Sequence, residues 1–135
     1  MADRFIDDYL LYLLARASDR VSAQFHARLK DHGLQVQEWR VLAALSDGDG
    51  MMLGELAGIA LQQQPTMTKI VDRMEKAGLV ERRQGAEDRR QVRVYITREG
   101  RRRVDAALRD AKTHEAEVLS GMNAADAGRL KAALR

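Results

Sequence analysis

The spacing of apolar residues changes after Gly78, and this change restricts the fold more than any other feature of the sequence. Before that glycine, apolar side chains recur every three or four residues, which is typical of helices. After it, Val92, Val94 and Ile96 alternate with polar or amphipathic side chains, as in a half-buried strand. The segment Leu79 to Thr97 is therefore predicted to be a β-hairpin within an otherwise helical chain.

Helical spacing predicts six helices around this hairpin. The four before it run from Phe5 to about Lys30, from Val36 to Leu45, over Leu53 to Ala60 and from Pro65 to Ala77, and a brief extended piece, Met51 to Leu53, precedes the third. After the hairpin, Thr97 caps a helix from Arg98 to about Leu119, and Asn123 caps a last helix that runs toward Arg135. The predicted fold class is mainly α with a small β-hairpin.

The fourth helix has two faces of different character. Its apolar face consists of Met67, Ile70, Val71 and Met74, and its opposite face carries Thr66, Thr68, Lys69, Asp72 and Arg73. Hydroxyl, ammonium and guanidinium groups on a rigid rod can read base edges in a major groove. Amides at the entrance of the helix, such as that of Gln64, can add contacts.

Basic charge is concentrated in one third of the chain. Between Ala60 and Arg103 there are twelve basic and six acidic residues, whereas acidic residues outnumber basic ones in the remainder. Such an excess is typical of a polyanion binder, and also of a solvated face. At the hairpin tip, Asp88 can hold Arg90 in an ion pair while Arg89 or Arg90 reaches a phosphate or a narrow minor groove. The alternative is a solvated hairpin with an internal salt bridge.

The start of the first helix is apolar on every side, because Tyr9 to Leu14 are six consecutive apolar residues. A helix on a small monomer has one face to bury. This end is therefore predicted to insert into a partner subunit, the alternative being a core helix wrapped by its own chain.

Length and composition exclude several classes of protein. A chain of 135 residues makes one ordinary domain, and its lack of cysteine removes disulfides and thiol chemistry. No apolar run approaches the ~18 residues of a membrane span, so we expect a cytoplasmic protein without membrane contacts. We expect that the protein is not an enzyme, because its sequence has no phosphate-binding loop and no serine elbow. We also expect no metal and no cofactor, since His26, His32 and His114 lack metal-ligand spacing.

Four segments together carry a family resemblance. They are Val36 to Leu45, Leu53 to Ala57, Pro65 to Val80, and the pieces Asp88-Arg89-Arg90 and Val94 to Gly100. In this order and at these separations they resemble the MarR family of bacterial winged-helix transcription regulators. The resemblance covers nearly the whole chain.

The resemblance implies a winged helix-turn-helix flanked by dimerisation helices. Residues 1–135 would form a single MarR-type domain, with a DNA-binding region over 34–100 and dimerisation helices over 5–31 and 104–135. The predicted dimer contacts are Phe5, Tyr9, Leu10, Leu13, Leu130 and Leu134. The predicted DNA contacts are Gln64, Pro65, Thr66, Thr68, Lys69, Arg73, Arg89 and Arg90, with Asp88 orienting the wing.

The implied function is that of a homodimeric repressor that binds a palindromic site in double-stranded DNA. Relatives often release DNA when a small aromatic or anionic ligand binds. The candidate ligand contacts are Arg16, Phe25, His26, His32, Trp39 and Arg40, although such histidines and Trp39 are also typical of a core or a surface. The alternative function is a winged-helix dimer that coats DNA without sequence preference or binds proteins.

Overall fold

A computed structural model describes residues 4–135, so the first three residues of the predicted domain lie outside the described part. In chain order the elements are α1 (Phe5–Asp8), α2 (Leu10–Leu29), a 3-10 turn (Lys30–His32), α3 (Val36–Asp47), β1 (Met51–Met52), α4 (Leu53–Ala60), α5 (Gln64–Lys76), β2 (Val80–Gln84), β3 (Val92–Ile96), α6 (Arg98–Val118) and α7 (Ala124–Leu134). The predicted fold class, mainly helical with a small sheet, is confirmed. None of the helices in residues 4–135 has the length and apolar character needed to span a bilayer.

The predicted first helix is wrong in detail, because it is interrupted at Tyr9. The backbone there is extended, with φ −79° and ψ 116°, and α2 starts at the next residue. The rings of Phe5 and Tyr9 stack with centroids 4.9 Å apart, and Arg4 Nε donates to Asp7 Oδ2 at 2.8 Å. At the other end Gly33, with φ 67°, closes the 3-10 turn.

The elements form two compact units, one made of the chain up to Arg28 with Asp110–Arg135 and the other of Leu29–Arg109. In the described part of the first unit, His114 is the one buried residue. Its Nε2 lies 3.0 Å from Gln24 Oε1, and its ring stacks on Phe25. Arg28 joins α2 to α6 by donating to Asp110 at 3.1 Å and to Glu117 at 3.0 Å. Polar contacts, rather than an apolar core, hold these helices.

Most of the large apolar side chains in the described part of the first unit remain exposed. Those with at least a third of their surface accessible include Phe5, Tyr9, Leu10, Leu11, Leu13, Leu14, Leu130 and Leu134. All six predicted dimer contacts are among them.

The second unit has a well-packed apolar core. The fully buried side chains include Leu42, Leu45, Leu56, Met67, Met74, Leu79, Val94 and Val104. All four residues of the predicted apolar face of α5 are buried. Because that face is fixed in the core, the opposite face of α5 is turned to solvent.

The sheet has three antiparallel strands in the order β1-β3-β2, one more than the predicted hairpin. The hairpin pairs Val80 with Ile96 and Gln84 with Val92 at its ends, and β1 pairs Met51 with Val94. The extended piece recognised before α4 thus becomes an edge strand.

A close junction joins the end of the hairpin to α6. Thr97 Oγ1 donates to the Gly78 carbonyl at 2.6 Å and accepts the Gly100 N–H at 3.0 Å, which confirms its predicted capping role. A Cβ on Gly100 would lie 2.1 Å from the Leu79 carbonyl oxygen, far inside van der Waals contact. Glycine at this position therefore lets α6 start directly against the chain that follows α5.

We predict that Gly100→Ala destabilises the protein by about 1–3 kcal/mol or more, because the added methyl group overpacks a backbone contact. The matched control is Gly58→Ala in α4, where an added Cβ meets nothing within 4 Å. That control should stabilise the helix slightly, since alanine is the better helix former by roughly 0.5–1 kcal/mol. Urea unfolding of both variants measures the difference, and equal shifts in stability would contradict the steric argument.

Candidate nucleic-acid interface

Helix α5 presents a polar face of suitable size for a DNA groove. It has 13 residues and is therefore about 20 Å long. The predicted contacts Gln64, Pro65, Thr66, Lys69 and Arg73 are all exposed. Pro65 lies in the first turn, where its missing N–H costs no hydrogen bond.

Thr68 is less available than the other predicted contacts on α5. Its hydroxyl donates to the Gln64 carbonyl at 3.1 Å, and the residue is half-buried. Its oxygen can still accept a hydrogen bond, but its proton already has an acceptor within the helix.

The wing is the hairpin formed by β2 and β3, and its tip is residues 85–91. The tip is held by hydrogen bonds among its own residues. Gly85 N donates to the Gln91 carbonyl, and Gln91 N donates to the Asp88 carbonyl at 3.0 Å. Asp88 Oδ1 accepts from the Arg90 backbone N at 3.0 Å and lies 3.4 Å from Arg90 Nε. The predicted ion pair is therefore present. The Arg90 side chain is 94% exposed, so its free edge faces solvent.

The base of the wing is bonded to α5 by Arg82. The Arg82 backbone N donates to Glu75 Oε2 at 2.8 Å, and its Nη2 lies 3.0 Å from Glu75 Oε1 and 2.6 Å from Asp72 Oδ1. The backbone N–H and then the guanidinium of Arg82 lower the pKa of Glu75, and Glu75 in turn raises the pKa of Arg82. Sequence reasoning missed this cluster, because it counted Arg82 in the basic excess and placed Asp72 on the outward face of α5.

Two more arginines share one carboxylate at the start of α6. Arg102 Nε donates to Glu99 at 2.8 Å, and Arg103 Nε donates to the same carboxylate at 3.1 Å. The hydrogen bond from Arg102 and then that from Arg103 lower the pKa of Glu99 to about 2. Six of the twelve basic side chains of this segment thus have a carboxylate or carbonyl partner within the protein.

The cations that stay unpaired occupy a restricted set of places. Within residues 4–135, those of the basic segment with no carboxylate or carbonyl partner are Lys69, Arg73, Lys76, Arg89, Arg98 and Arg101. Three of them lie on α5 and one lies at the wing tip. The available positive charge is therefore concentrated on the predicted DNA-contacting elements.

The predicted ligand contacts are divided between the two units. In the first unit, Arg16 is exposed, His26 is half-buried, and the Phe25 ring stacks on the His114 ring with centroids 5.9 Å apart. In the second unit, Trp39 and Arg40 line an open depression of about 710 Å³, and Arg40 Nη1 donates to the Ala60 carbonyl at 3.2 Å.

A second, smaller depression surrounds His32. Its volume is about 340 Å³, and its other lining residues are Asp31, Gly33, Arg102, Arg103 and Ala106. No cluster of side chains suited to hold a metal ion occurs in the described part of the chain. The part that the six predicted ligand contacts play in ligand binding stays a prediction.

Known proteins resemble this chain in sequence and in fold. The sequence profile of the MarR family matches residues 32–91. The crystal structure of a MarR family transcriptional regulator from Silicibacter pomeroyi DSS-3 has a TM-score of 0.86 at 46% identity, over 98% of this chain and 95% of that one.

Two further relatives are a repressor and a DNA-binding protein that responds to a small molecule. The homoprotocatechuate degradative operon repressor of Escherichia coli is 33% identical over 93 residues, which span 69% of this chain but only 63% of the repressor. BpsR of Bordetella bronchiseptica, whose DNA binding is regulated by 6-hydroxynicotinic acid, is 26% identical with a TM-score of 0.83, over 95% of this chain and 97% of BpsR.

Proposed function

The chain belongs to the MarR family of transcriptional regulators, and from this premise we propose that it is a homodimeric repressor that binds a specific DNA sequence. The observation that carries the proposal is the placement of exposed cations on the outward face of α5 and at the wing tip. Lys69 and Arg73 would enter a major groove, and Arg89 and Arg90 would reach the adjacent minor groove or its phosphates.

The exposed apolar surface of the first unit supports the dimer. A small soluble protein rarely leaves so many large side chains of α2 and α7 in water, and contiguous exposed apolar surface marks an interface. In a two-fold dimer the two copies of α5, the recognition helices, would contact half-sites about one turn of DNA apart, so the operator would be a palindrome. A dimer bound at a promoter would exclude polymerase, which favours repression.

A small aromatic or anionic ligand would relieve this repression. The support comes from BpsR, which responds to an aromatic acid, and from the arginines, histidines and aromatic residues predicted as ligand contacts. Such a ligand can act only if it binds the DNA-free conformation more tightly than the DNA-bound one.

Selection of duplexes from a random pool tests the proposal. At about 150 mM salt, where the Debye length is about 8 Å, nonspecific phosphate contacts are weakened. We expect a palindrome to be enriched and to bind about a thousandfold or more tightly than a scrambled duplex. Lack of any enriched motif would favour a nonspecific DNA-binding or protein-interaction module instead.

We predict that Lys69→Ala and Arg90→Ala each weaken binding to the selected duplex by about 5- to 150-fold, which corresponds to about 1–3 kcal/mol. The control is Arg129→Ala, which removes an exposed charge from the other unit. Fluorescence anisotropy with labelled duplex gives the affinities. If a folded Arg90→Ala dimer bound as tightly as the wild type, the wing contact would be ruled out.

We predict that Leu13→Asp dissociates or unfolds the protein, because it would bury an unpaired charge in the subunit interface. Ser18→Asp adds the same charge at a polar position of the same helix and should leave the dimer intact. Sedimentation equilibrium of both variants distinguishes these results. A stable dimer of Leu13→Asp would show that this part of α2 is not the interface.

A further inference from the structure

The cluster of Arg82, Asp72 and Glu75 ties the wing to the recognition helix. Asp72 and Glu75 are three positions apart and share one side of α5. A single guanidinium on β2 contacts both carboxylates, while the Arg82 backbone N–H bonds to the second oxygen of Glu75. Because these bonds use the main chain and the side chain of the same strand residue, the strand cannot slide along α5 without breaking them.

The opposite edge of the sheet is fixed as well. Asp49 Oδ1 accepts from the backbone N of Gly50 at 3.0 Å and of Ile96 at 2.9 Å. Arg93 Nη1 donates to the Gly50 carbonyl at 2.8 Å. The base of the wing is therefore anchored at both edges, and among residues 4–135 it is the Arg82 edge that side-chain ion pairs anchor to α5.

The tip depends on this base for its position. The backbone hydrogen bonds of residues 85–91 stay within the tip. The place of Arg90 relative to α5 therefore depends on the two strands below the tip, and Arg82 supplies the side-chain ion pairs that join those strands to α5.

We propose that Arg82 is a positioning residue that couples the wing contact to the helix contact, so that Arg90 reaches DNA only while Arg82 holds Asp72 and Glu75. This inference rests on the proposed DNA-binding function. We assign Arg82 a positioning role and Arg90 the DNA contact because two carboxylates of α5 hold the Arg82 guanidinium and its side chain is 30% exposed, against 94% for Arg90.

The contribution of the cluster to folding should be small, so variants can be tested. The side chains of Arg82, Asp72 and Glu75 are 30%, 42% and 37% exposed, and solvent-exposed ion pairs add little to the free energy of unfolding. A loss of coupling can therefore be separated from a loss of fold by thermal unfolding of each variant.

A double-mutant cycle on the selected duplex tests the inference. In the wild-type background we expect Arg90→Ala to weaken binding by about tenfold. In the Arg82→Met background the same change should cost less than about twofold, since the wing no longer reaches its site. The Lys69→Ala penalty should be equal in both backgrounds, which a general loss of folding would not produce.

Arg83→Met is the matched control. Arg83 is the next residue of β2 and carries the same charge, but it pairs with Glu81 and lies over the Tyr95 ring at 4.4 Å. In this background the Arg90→Ala penalty should stay about tenfold.

A second variant separates positioning from charge repulsion, because Arg82→Met also exposes two carboxylates near the DNA. The double substitution Asp72→Asn with Glu75→Gln breaks the ion pairs and removes both negative charges. If Arg82 acts by positioning, the Arg90→Ala penalty falls in this variant too. If it acts only by neutralising the carboxylates, the penalty stays near its wild-type value and the inference is overturned.

The two experiments distinguish a failure of the proposed DNA-binding function from a failure of the proposed role of Arg82. If the wild type selects no duplex, the proposed function fails first and the inference falls with it. If the wild type selects a duplex but Arg90→Ala costs the same with and without Arg82, the inference alone is overturned. Arg82→Lys, which can hold one carboxylate at a time, should restore part of the Arg90 penalty.

Discussion

Burial of one face of α5 is the constraint on which the rest of the DNA-binding unit depends. Met67, Ile70, Val71 and Met74 are fixed in the core, so the helix has no freedom to rotate about its axis. The outward direction of the polar face follows from this packing rather than from any contact of its own. The wing is then attached to the side of the same helix. A single apolar stripe thus orients both elements that we assign to DNA.

The two units differ in how much apolar surface each buries within itself. The unit from Leu29 to Arg109 encloses a core of its own, whereas the other buries little beyond His114 in the described residues. In the proposed dimer, the unit without a core of its own would bury its apolar side chains against a partner. Folding of α2 and α7 would then depend on that partner. Ion pairs such as those of Arg28 would then define the pairing of helices, while the partner supplies the apolar contact.

Sequence reasoning predicted the parts of the fold that depend on local periodicity. The stripe of α5, the cap at Thr97 and the ion pair at Asp88 all involve residues within a few positions of one another. It missed the break at Tyr9, which no glycine or proline marks, and the pairing of β1, which requires a partner more than forty residues away. It also missed the contacts of Arg82, because a paired and an unpaired arginine look alike in a sequence. Which cations are available to DNA is decided by tertiary contacts.

The self-contained tip of the wing has a consequence for divergence among related regulators. Residues 85–91 close on themselves, and neither Asp88 nor Arg90 is part of the buried core. Apart from Gly85, where a Cβ would lie 2.6 Å from the Asp88 carbonyl oxygen, substitutions there change little of what holds the domain together. In the proposed complex with DNA, the contact made by the tip would then be free to change in evolution while the strands below it are retained.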